Sequence, residues 1–252
     1  MMLKVQSVVR RFGGFSAVDQ VSLSLAEGEI LGIAGTNGAG KSTLFAAIAG
    51  QQPADEGQIL FEGQDITRLP PFRRAHLGLV RTFQVPREFK TLTVHENLLA
   101  AAPNPVGERL AGAFWRTAAS RANEQTLAEQ ADQILAFLNL SHVRDTPAGG
   151  LSGGQKKLVE LGRVLMLKPR CILLDEPFAG VNPVLIDEIC ARVQDLNAQG
   201  ISFIVIEHHL QALKALSHRM IVMDRGCVLA EGAPADVLND PKVQEAYMGG
   251  IA

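Results

Sequence analysis

The sequence predicts an α/β fold with a parallel sheet at its core, an amino-terminal antiparallel β subdomain and an inserted α-helical subdomain. Three features predict this fold. Short continuous apolar runs alternate with longer helical patterns, the amino-terminal part favours short strands, and helical patterns dominate residues 91–167. Continuous apolar runs are typical of strands that are buried on both faces of a parallel sheet.

The amino-terminal part contains three short strand patterns, at residues 3–9, 21–25 and 58–61, joined by turns that contain glycine. Such strands predict an antiparallel sheet packed against the parallel core. Between them, residues 29–35 form an apolar run that ends in glycine, which predicts a buried strand. Residues 41–50 then have the pattern of a helix, so that strand and helix form the first unit of the core.

Two further apolar runs, residues 171–174 and 201–206, predict strands of the parallel sheet. Asn182 and Pro183 lie between these runs and have the pattern of a helix start, with Asn182 as the N-cap and proline in the first turn. The predicted helix has one apolar stripe, formed by Ile186, Ile189, Cys190, Val193 and Leu196. Strand, helix and strand in this order predict a right-handed crossover.

Helical periodicity dominates residues 91–167, where apolar residues recur on one face of each helix. The two faces are formed by Leu127, Ala131, Ile134, Leu135 and Leu138, and by Leu158, Leu161 and Leu165. Residues 102–107 contain prolines and a glycine, which predicts a loop that breaks the helices. We therefore predict one domain over residues 1–252, with a helical subdomain of about residues 85–167 inserted into the α/β core.

The composition bounds the function classes. The chain has 252 residues, with 24 Lys and Arg against 26 Asp and Glu, and 47% of its residues are hydrophobic. These values exclude wholesale disorder, and the balanced charge offers no basic field, so we predict no nucleic-acid partner. No apolar run approaches the roughly 18 residues of a membrane span, and residues 1–12 lack a secretory signal pattern. Three scattered cysteines, Cys171, Cys190 and Cys227, fit reduced thiols. We expect a soluble intracellular protein.

A glycine-rich segment matches the pattern G-x-x-x-x-G-K-[ST] between a predicted strand and a predicted helix. Its residues are Gly35, Thr36, Asn37, Gly38, Ala39, Gly40, Lys41, Ser42 and Thr43. Glycines let backbone N–H groups converge on phosphate oxygens, and the helix N-terminus adds partial positive charge. In such a loop Lys41 reaches the β- and γ-phosphates of a nucleotide, and the Ser42 hydroxyl ligates Mg²⁺. The alternative is a glycine-rich turn that binds nothing.

Asp175 and Glu176 follow a predicted buried strand, where the second half of a phosphate site is expected. Asp175 at the strand end can hold the hydration shell of Mg²⁺, and Glu176 can polarise a water molecule near the γ-phosphate. The alternative for this pair is an exposed turn with helix-capping value. Together with the glycine-rich segment, the two carboxylates predict nucleotide hydrolysis.

Residues 151–155, which lie between these two motifs, read Leu-Ser-Gly-Gly-Gln. They resemble the signature sequence of ATP-binding-cassette (ABC) ATPases, and the resemblance covers essentially the whole chain. It implies the ABC ATPase fold, built on a P-loop NTPase core. It also implies that the signature closes over ATP bound by a second cassette in a head-to-tail dimer. The signature residues that it assigns to nucleotide binding are Ser152, Gly153, Gly154 and Gln155.

Other positions take their expected roles from the same resemblance. Gln84 is similar to the glutamine that contacts Mg²⁺ and links the core to the helical subdomain. His208 resembles the switch histidine that senses the γ-phosphate, which makes Glu176 and His208 the implied catalytic residues. Phe12 resembles the aromatic residue that stacks on adenine, with Phe15 and packing in the core as alternatives. The implied ligands of Mg²⁺ are Ser42, Gln84 and Asp175.

Several segments resemble one branch of the family, the ATPase subunits of branched-chain amino acid importers. They are residues 11–14, 80–84, 93–94, 96–99, 179–183 and 245–249, with a longer insert at 103–119. Related cassettes that move urea, short amides or lipopolysaccharide share much of this pattern. A non-transport ABC ATPase and an ATP-dependent clamp are further alternatives. Asn182 and His209 depart from the family pattern, since many members carry aspartate at both positions.

The resemblance implies an ATPase subunit that energises transport and needs ATP and Mg²⁺. Its implied partners are a second ABC ATPase subunit, identical or different, and integral membrane permease subunits. A periplasmic substrate-binding protein would act on it indirectly. The implied location is peripheral, on the cytoplasmic face of the inner cell membrane.

Overall fold

A computed structural model of the chain describes residues 1–82, 88–103 and 118–249. The chain divides into two units, one of residues 1–84 and 169–252 and the other of residues 85–168. The elements in chain order are β1 (Leu3–Phe12), β2 (Phe15–Leu25), β3 (Ile30–Gly35), α1 (Lys41–Ile48), β4 (Glu56–Phe61), β5 (Gln64–Asp65), α2 (Pro71–His76), β6 (Leu79–Arg81), α3 (Val94–Leu99), α4 (Ala118–Phe137), α5 (Gly153–Leu165), β7 (Cys171–Asp175), α6 (Pro183–Ala198), β8 (Ser202–Ile206), α7 (Leu210–Leu216), β9 (Arg219–Asp224), β10 (Cys227–Gly232), α8 (Pro234–Asn239) and α9 (Pro241–Gly249).

The first unit contains two sheets. The amino-terminal sheet has the order β2-β1-β4-β5 and is antiparallel throughout, as the sequence predicts. The second sheet has the order β10-β9-β3-β8-β7-β6, and its strands are parallel except for β10. Strand β10 was not evident from the sequence. It pairs with β9 through a turn at Arg225 and Gly226, which both have positive φ, as a type I′ hairpin requires.

The central strands β3, β7 and β8 are buried along their whole length, which explains their continuous apolar sequences. Their carboxyl ends lie side by side, because Ile206 of β8 pairs with Ile33 of β3 and with Asp175 of β7. The segments that leave these strands therefore start at one edge of the sheet. This edge is where ligands bind in open α/β sheets.

The second unit is helical. The predicted apolar faces are confirmed, since Ala131, Leu135 and Leu138 of α4 and its end are buried, as are the three leucines of α5. Gly162 allows close packing here, because a Cβ at this position would lie 3.0 Å from a methyl carbon of Leu138. Among the helices of the described residues, none combines the length and apolar character of a bilayer span. Residues 104–117, which include most of the predicted loop and insert, lie outside the described residues.

Arg74 of α2 is a buried charge that supports the end of α1. Its guanidinium donates hydrogen bonds to the carbonyl oxygens of Ala47 and Ile48 at 2.8 and 2.6 Å, and of Leu69 and Thr67 at 2.9 Å each. Burial lowers the pKa of Arg74 to about 10, so it stays charged at neutral pH. The partial negative charge at the carbonyl end of α1 stabilises a cation at this position.

Replacing Arg74 with Met is expected to lower the free energy of unfolding by about 3 kcal/mol or more, since the carbonyl oxygens of Ile48, Thr67 and Leu69 lose their side-chain donor. Urea unfolding measures this change. The matched control is Arg73→Met on the exposed side of the same helix, which should change stability by less than about 0.5 kcal/mol. Equal stabilities of the two variants would contradict the structural role of Arg74.

Candidate nucleotide site

The segment of residues 35–43 joins β3 to α1, as the sequence predicts. Gly35 and Gly40 have φ values of 146° and 96°, which other residues rarely adopt. A Cβ on Gly35 would lie 2.3 Å from the carbonyl oxygen of Met223, and one on Gly40 would lie 2.2 Å from that of Ala17. The loop therefore depends on glycine at both positions, and its tight path brings the backbone to the N-terminus of α1.

Lys41 begins α1 and is almost fully buried. Its ammonium group donates hydrogen bonds to the carbonyl oxygens of Gly35 and Thr36 at 2.7 and 2.9 Å. Burial lowers the pKa of Lys41, while the carboxylates of Glu176 and Asp175 oppose this shift. A desolvated cation is thus fixed against the loop, beside the positive end of a helix, where an anion is favoured.

Asp175 ends β7, and its carboxylate is buried. One oxygen, Oδ2, accepts a hydrogen bond from Arg81 at 2.6 Å. The other, Oδ1, is buried without a hydrogen-bond partner among the described residues. The Ser42 hydroxyl, in the first turn of α1, is exposed. A hydroxyl and an unsatisfied carboxylate oxygen are ligands that a hard divalent cation prefers, so the residues present fit such an ion.

Arg81, at the end of β6, holds Asp175 in place, a role that was not evident from the sequence. Its guanidinium also donates to Gln51, just after α1, and lies 5.8 Å from the ring centroid of Phe45. The pair is well shielded, since the Arg81 side chain is 12% exposed and that of Asp175 is 3% exposed. Arg81 thus binds one carboxylate oxygen and leaves the other for a cation.

Replacing Arg81 with Met is expected to lower the free energy of unfolding by about 3 kcal/mol, because it leaves a buried carboxylate unpaired. Asp175→Asn should partly restore stability in the Arg81→Met background, since the neutral amide needs no counter-charge. Denaturant unfolding of the two single variants and the double variant measures their coupling energy. Additive effects would show that the two side chains do not act as a pair.

Glu176 and His208 lie together at the carboxyl ends of β7 and β8. Glu176 has a left-handed backbone with φ of 48°, and its N–H donates to the carbonyl oxygen of Ile206 at 3.0 Å. His208 Nε2 lies 3.1 Å from Glu176 Oε1. A non-glycine residue in this conformation is strained, and such strain clusters at functional sites. The structure brings the two predicted catalytic residues into contact.

One cavity of about 330 Å³ connects most of the predicted residues. It is lined by Phe12, Phe15, Ala17, Asn37, Gly38, Ala39, Gly40, Lys41, Ser42, Thr43, Glu176 and His208. Phe12 and Phe15 are 45% and 60% exposed, so the alternative that they pack in the core is wrong. The Arg10 guanidinium lies 4.7 Å from the ring centroid of Phe12. Both rings stay candidates for stacking on a planar base.

In the helical unit, Ser152 is the N-cap of α5. Its hydroxyl accepts a hydrogen bond from the N–H of Gln155 at 3.3 Å, and the Gln155 side chain accepts one from the N–H of Ser152 at 3.0 Å. This capping box fixes the helix start that carries Gly153 and Gly154. The signature residues therefore open a helix. Its contact with a second cassette stays a prediction.

Three other predicted positions have different outcomes. Gln84 lies outside the described residues. Asn182 caps α6, because its side-chain oxygen accepts the N–H of Leu185 at 3.0 Å. His209 caps α7, because its Nδ1 accepts the N–H of Ala212 at 3.2 Å. Both departures from aspartate thus keep an acceptor at a helix N-terminus, which is what the backbone there requires.

Glu207 is a further residue of this site for which no role was evident from the sequence. It is 3% exposed and follows β8 directly, between Ile206 and His208. The one sequence signal was its position, since a carboxylate at the carboxyl end of a fully buried parallel strand needs a specific reason to be there.

A family model described as ABC transporter matches residues 18–179. A second model, described as branched-chain amino acid ATP-binding cassette transporter, matches residues 227–252. The first match includes the glycine-rich loop, the signature and both strand-end carboxylates. The second covers β10 and the two helices after it.

The chain is similar to relatives along almost its whole length. It is 45% identical to the "Probable branched-chain amino acid transport ATP-binding protein LivG" of Methanocaldococcus jannaschii, with 98% of this chain and 97% of the relative covered. It is 36% identical to the "Lipopolysaccharide export system ATP-binding protein LptB" of Acidithiobacillus ferridurans, with 98% and 97% covered. A crystal structure of an ATP-binding cassette of an ABC transporter, in its ADP conformation, is 44% identical over 98% of both chains, with a TM-score of 0.86.

Proposed function

Because the chain belongs to the ABC transporter family, whose ATP-binding subunits hydrolyse ATP, we propose that it is the ATPase subunit of an importer for branched-chain amino acids. The ATPase assignment rests on the arrangement of side chains at the carboxyl ends of β3, β7 and β8. There residues 37–43 of the glycine-rich loop, which include Lys41, line one cavity together with Glu176 and His208.

Phosphate binding follows from the loop. The backbone N–H groups of residues 36–43 and the N-terminus of α1 provide partial positive charge, and Lys41 provides a full charge. The β- and γ-phosphates of ATP would replace the carbonyl oxygens of Gly35 and Thr36 as partners of the Lys41 ammonium. Phe12 or Phe15 would stack on the adenine.

Hydrolysis would use the strand-end carboxylates. Ser42 and Asp175, with Gln84, would hold Mg²⁺, which supplies charge neutralisation at the β- and γ-phosphates. Glu176 would accept a proton from the attacking water, and His208, in contact with Glu176, would stabilise charge on the departing phosphoryl group. The contact orients both side chains before substrate arrives.

A second cassette would complete each site. Ser152, Gly153, Gly154 and Gln155 at the start of α5 form a helix N-terminus, which suits the γ-phosphate held by the partner chain. We propose that residues 85–167 form the helical subdomain. It would transmit the closure of the two cassettes over ATP to integral membrane permease subunits. The chain would then lie at the cytoplasmic face of the cell membrane, and a periplasmic binding protein would act through the permeases.

The cargo assignment is supported by the carboxyl-terminal segment. Residues 227–252 match the branched-chain amino acid model, and the 45% identical relative is named for the same transport. Lipopolysaccharide transport is the second candidate, because the relative named for it is 36% identical over almost the whole chain. Urea and short amides, which related cassettes transport, are further candidate cargoes.

Uptake by cells tests the cargo. In cells from which the gene is deleted, the wild-type chain is expected to restore uptake of radiolabelled leucine, and the Glu176→Gln chain is expected not to. Uptake of labelled urea and delivery of lipopolysaccharide are measured in the same cells. Restoration of either of these, with no effect on leucine, isoleucine or valine, would reject the branched-chain amino acid assignment and leave the ATPase assignment intact.

A further inference from the structure

Glu207 is a buried carboxylate that accepts hydrogen bonds from two different loops. Its Oε1 accepts the N–H of Phe178 at 2.6 Å, in the segment that follows β7. Its Oε2 accepts the N–H groups of His208 and His209 at 2.9 and 3.3 Å, in the segment that follows β8. The two oxygens thus connect the segments that leave two neighbouring strands.

The burial of Glu207 makes these bonds obligatory. A carboxylate that is 3% exposed is strongly disfavoured unless donors replace its hydration, and three backbone N–H groups do so. The backbone of Glu207 is fixed as well, because its N–H donates to the carbonyl oxygen of Ile33 in β3 at 3.3 Å. The carboxylate is therefore a rigid link in the sheet edge.

The two linked segments carry the two predicted catalytic residues. Phe178 lies two residues after Glu176, and His208 follows Glu207 directly. The distance of 3.1 Å between Glu176 Oε1 and His208 Nε2 depends on how these segments lie relative to each other. A shift of about 1 Å in a reacting group can lower a rate by about 100-fold.

We propose that Glu207 is a positioning residue that sets the Glu176–His208 contact by holding the segments after β7 and β8 together. It does not touch substrate, because its carboxylate is buried and already bonded to backbone. This inference rests on the proposed ATPase function. It adds that the geometry of Glu176 and His208 depends on the buried carboxylate of Glu207.

The test uses Glu207→Gln in the full chain, assembled with its membrane subunits. Glutamine has the same shape, but its NH₂ group would face a backbone N–H in either orientation, so one segment loses its acceptor. We expect kcat for ATP hydrolysis to fall by about 10- to 100-fold. The dissociation constant for Mg-ATP should change by less than about twofold, because the loop of residues 35–43 is not touched.

The matched control is Ser202→Ala, at the opposite end of β8. Ser202 is also fully buried, and its hydroxyl accepts a backbone N–H, that of Gly28, at 2.9 Å. This control removes a buried acceptor at the other end of β8 without touching either segment. It should lower the melting temperature but leave kcat within about twofold of wild type.

If Glu207→Gln does not fold, a second variant and a measurement on the wild type still test the proposal. Glu207→Asp keeps the charge but is one methylene shorter, so it cannot reach both segments, and kcat should fall here too. In the wild type, the amides of Phe178, His208 and His209 should exchange hydrogen as slowly as those of β8. Rapid exchange at these three amides would overturn the proposal, as would wild-type kcat in either folded variant. The wild type, assayed in parallel, separates the two claims: absence of ATP hydrolysis by the wild-type assembly would defeat the proposed function, whereas turnover retained by Glu176→Gln would show only that Glu176 is not the base.

Discussion

Glu176→Gln is expected to lower the rate of ATP hydrolysis by about 10²- to 10⁴-fold, the usual contribution of a general base. Glutamine fills the same space and can still accept a hydrogen bond from His208 Nε2, which lies 3.1 Å from Oε1 in the wild type. It cannot accept the proton of the attacking water. Phosphate release by the full chain assembled with its membrane subunits measures the rate. The affinity of the variant for Mg-ATP should equal that of the wild type.

The control for this variant is Glu27→Gln, which changes an exposed carboxylate in the same unit. It should hydrolyse ATP at the wild-type rate. If Glu176→Gln keeps the wild-type rate, Glu176 is not the base. A large loss of Mg-ATP affinity in Glu176→Gln would also count against the assignment, because it would place Glu176 in binding rather than in proton transfer.

Lys41→Ala is expected to weaken Mg-ATP binding by about 100-fold or more, since hydrogen bonds to a charged group contribute about 1.5–3 kcal/mol each. The ammonium group is desolvated beside the loop, which strengthens its attraction to phosphate. AMP, which lacks the β- and γ-phosphates, should bind both proteins equally weakly. Titration calorimetry measures the affinities.

Lys4→Ala, an exposed lysine of β1, is the matched control and should bind Mg-ATP as the wild type does. Equal affinity of wild type and Lys41→Ala for Mg-ATP would contradict the role of Lys41. Loss of AMP binding together with ATP binding would indicate that the variant is misfolded rather than short of one phosphate contact.

The loop and the central strands could be predicted from the sequence because their constraints are local. Gly35 and Gly40 must be glycine because of their positive φ and their close backbone contacts. The spacing of these glycines from the lysine and serine that follow therefore predicts the path of the loop. Likewise, Asn182 predicts the start of α6, because its side chain caps the helix that begins at the next residue. In each case the chemistry lies within a few residues.

Arg81 and Glu207 could not be assigned because their partners are distant in sequence. Arg81 pairs with a carboxylate 94 positions away, and Glu207 accepts an N–H from a residue 29 positions away. A single sequence does not show which strands become neighbours, so it does not show these pairs. The exposure of Phe12 is a similar case, since an aromatic residue at a strand end can face either core or solvent.

Hydrogen exchange of the wild-type chain tests most directly whether the loop after β3 holds the phosphates of ATP. With Mg-ATP, the amides of residues 36–43 are expected to exchange more slowly than in the free protein, because their N–H groups would donate to phosphate oxygens. With AMP, the same amides are expected to exchange as in the free protein. Unchanged exchange with Mg-ATP, or equal protection by AMP, would contradict a phosphate site at this loop.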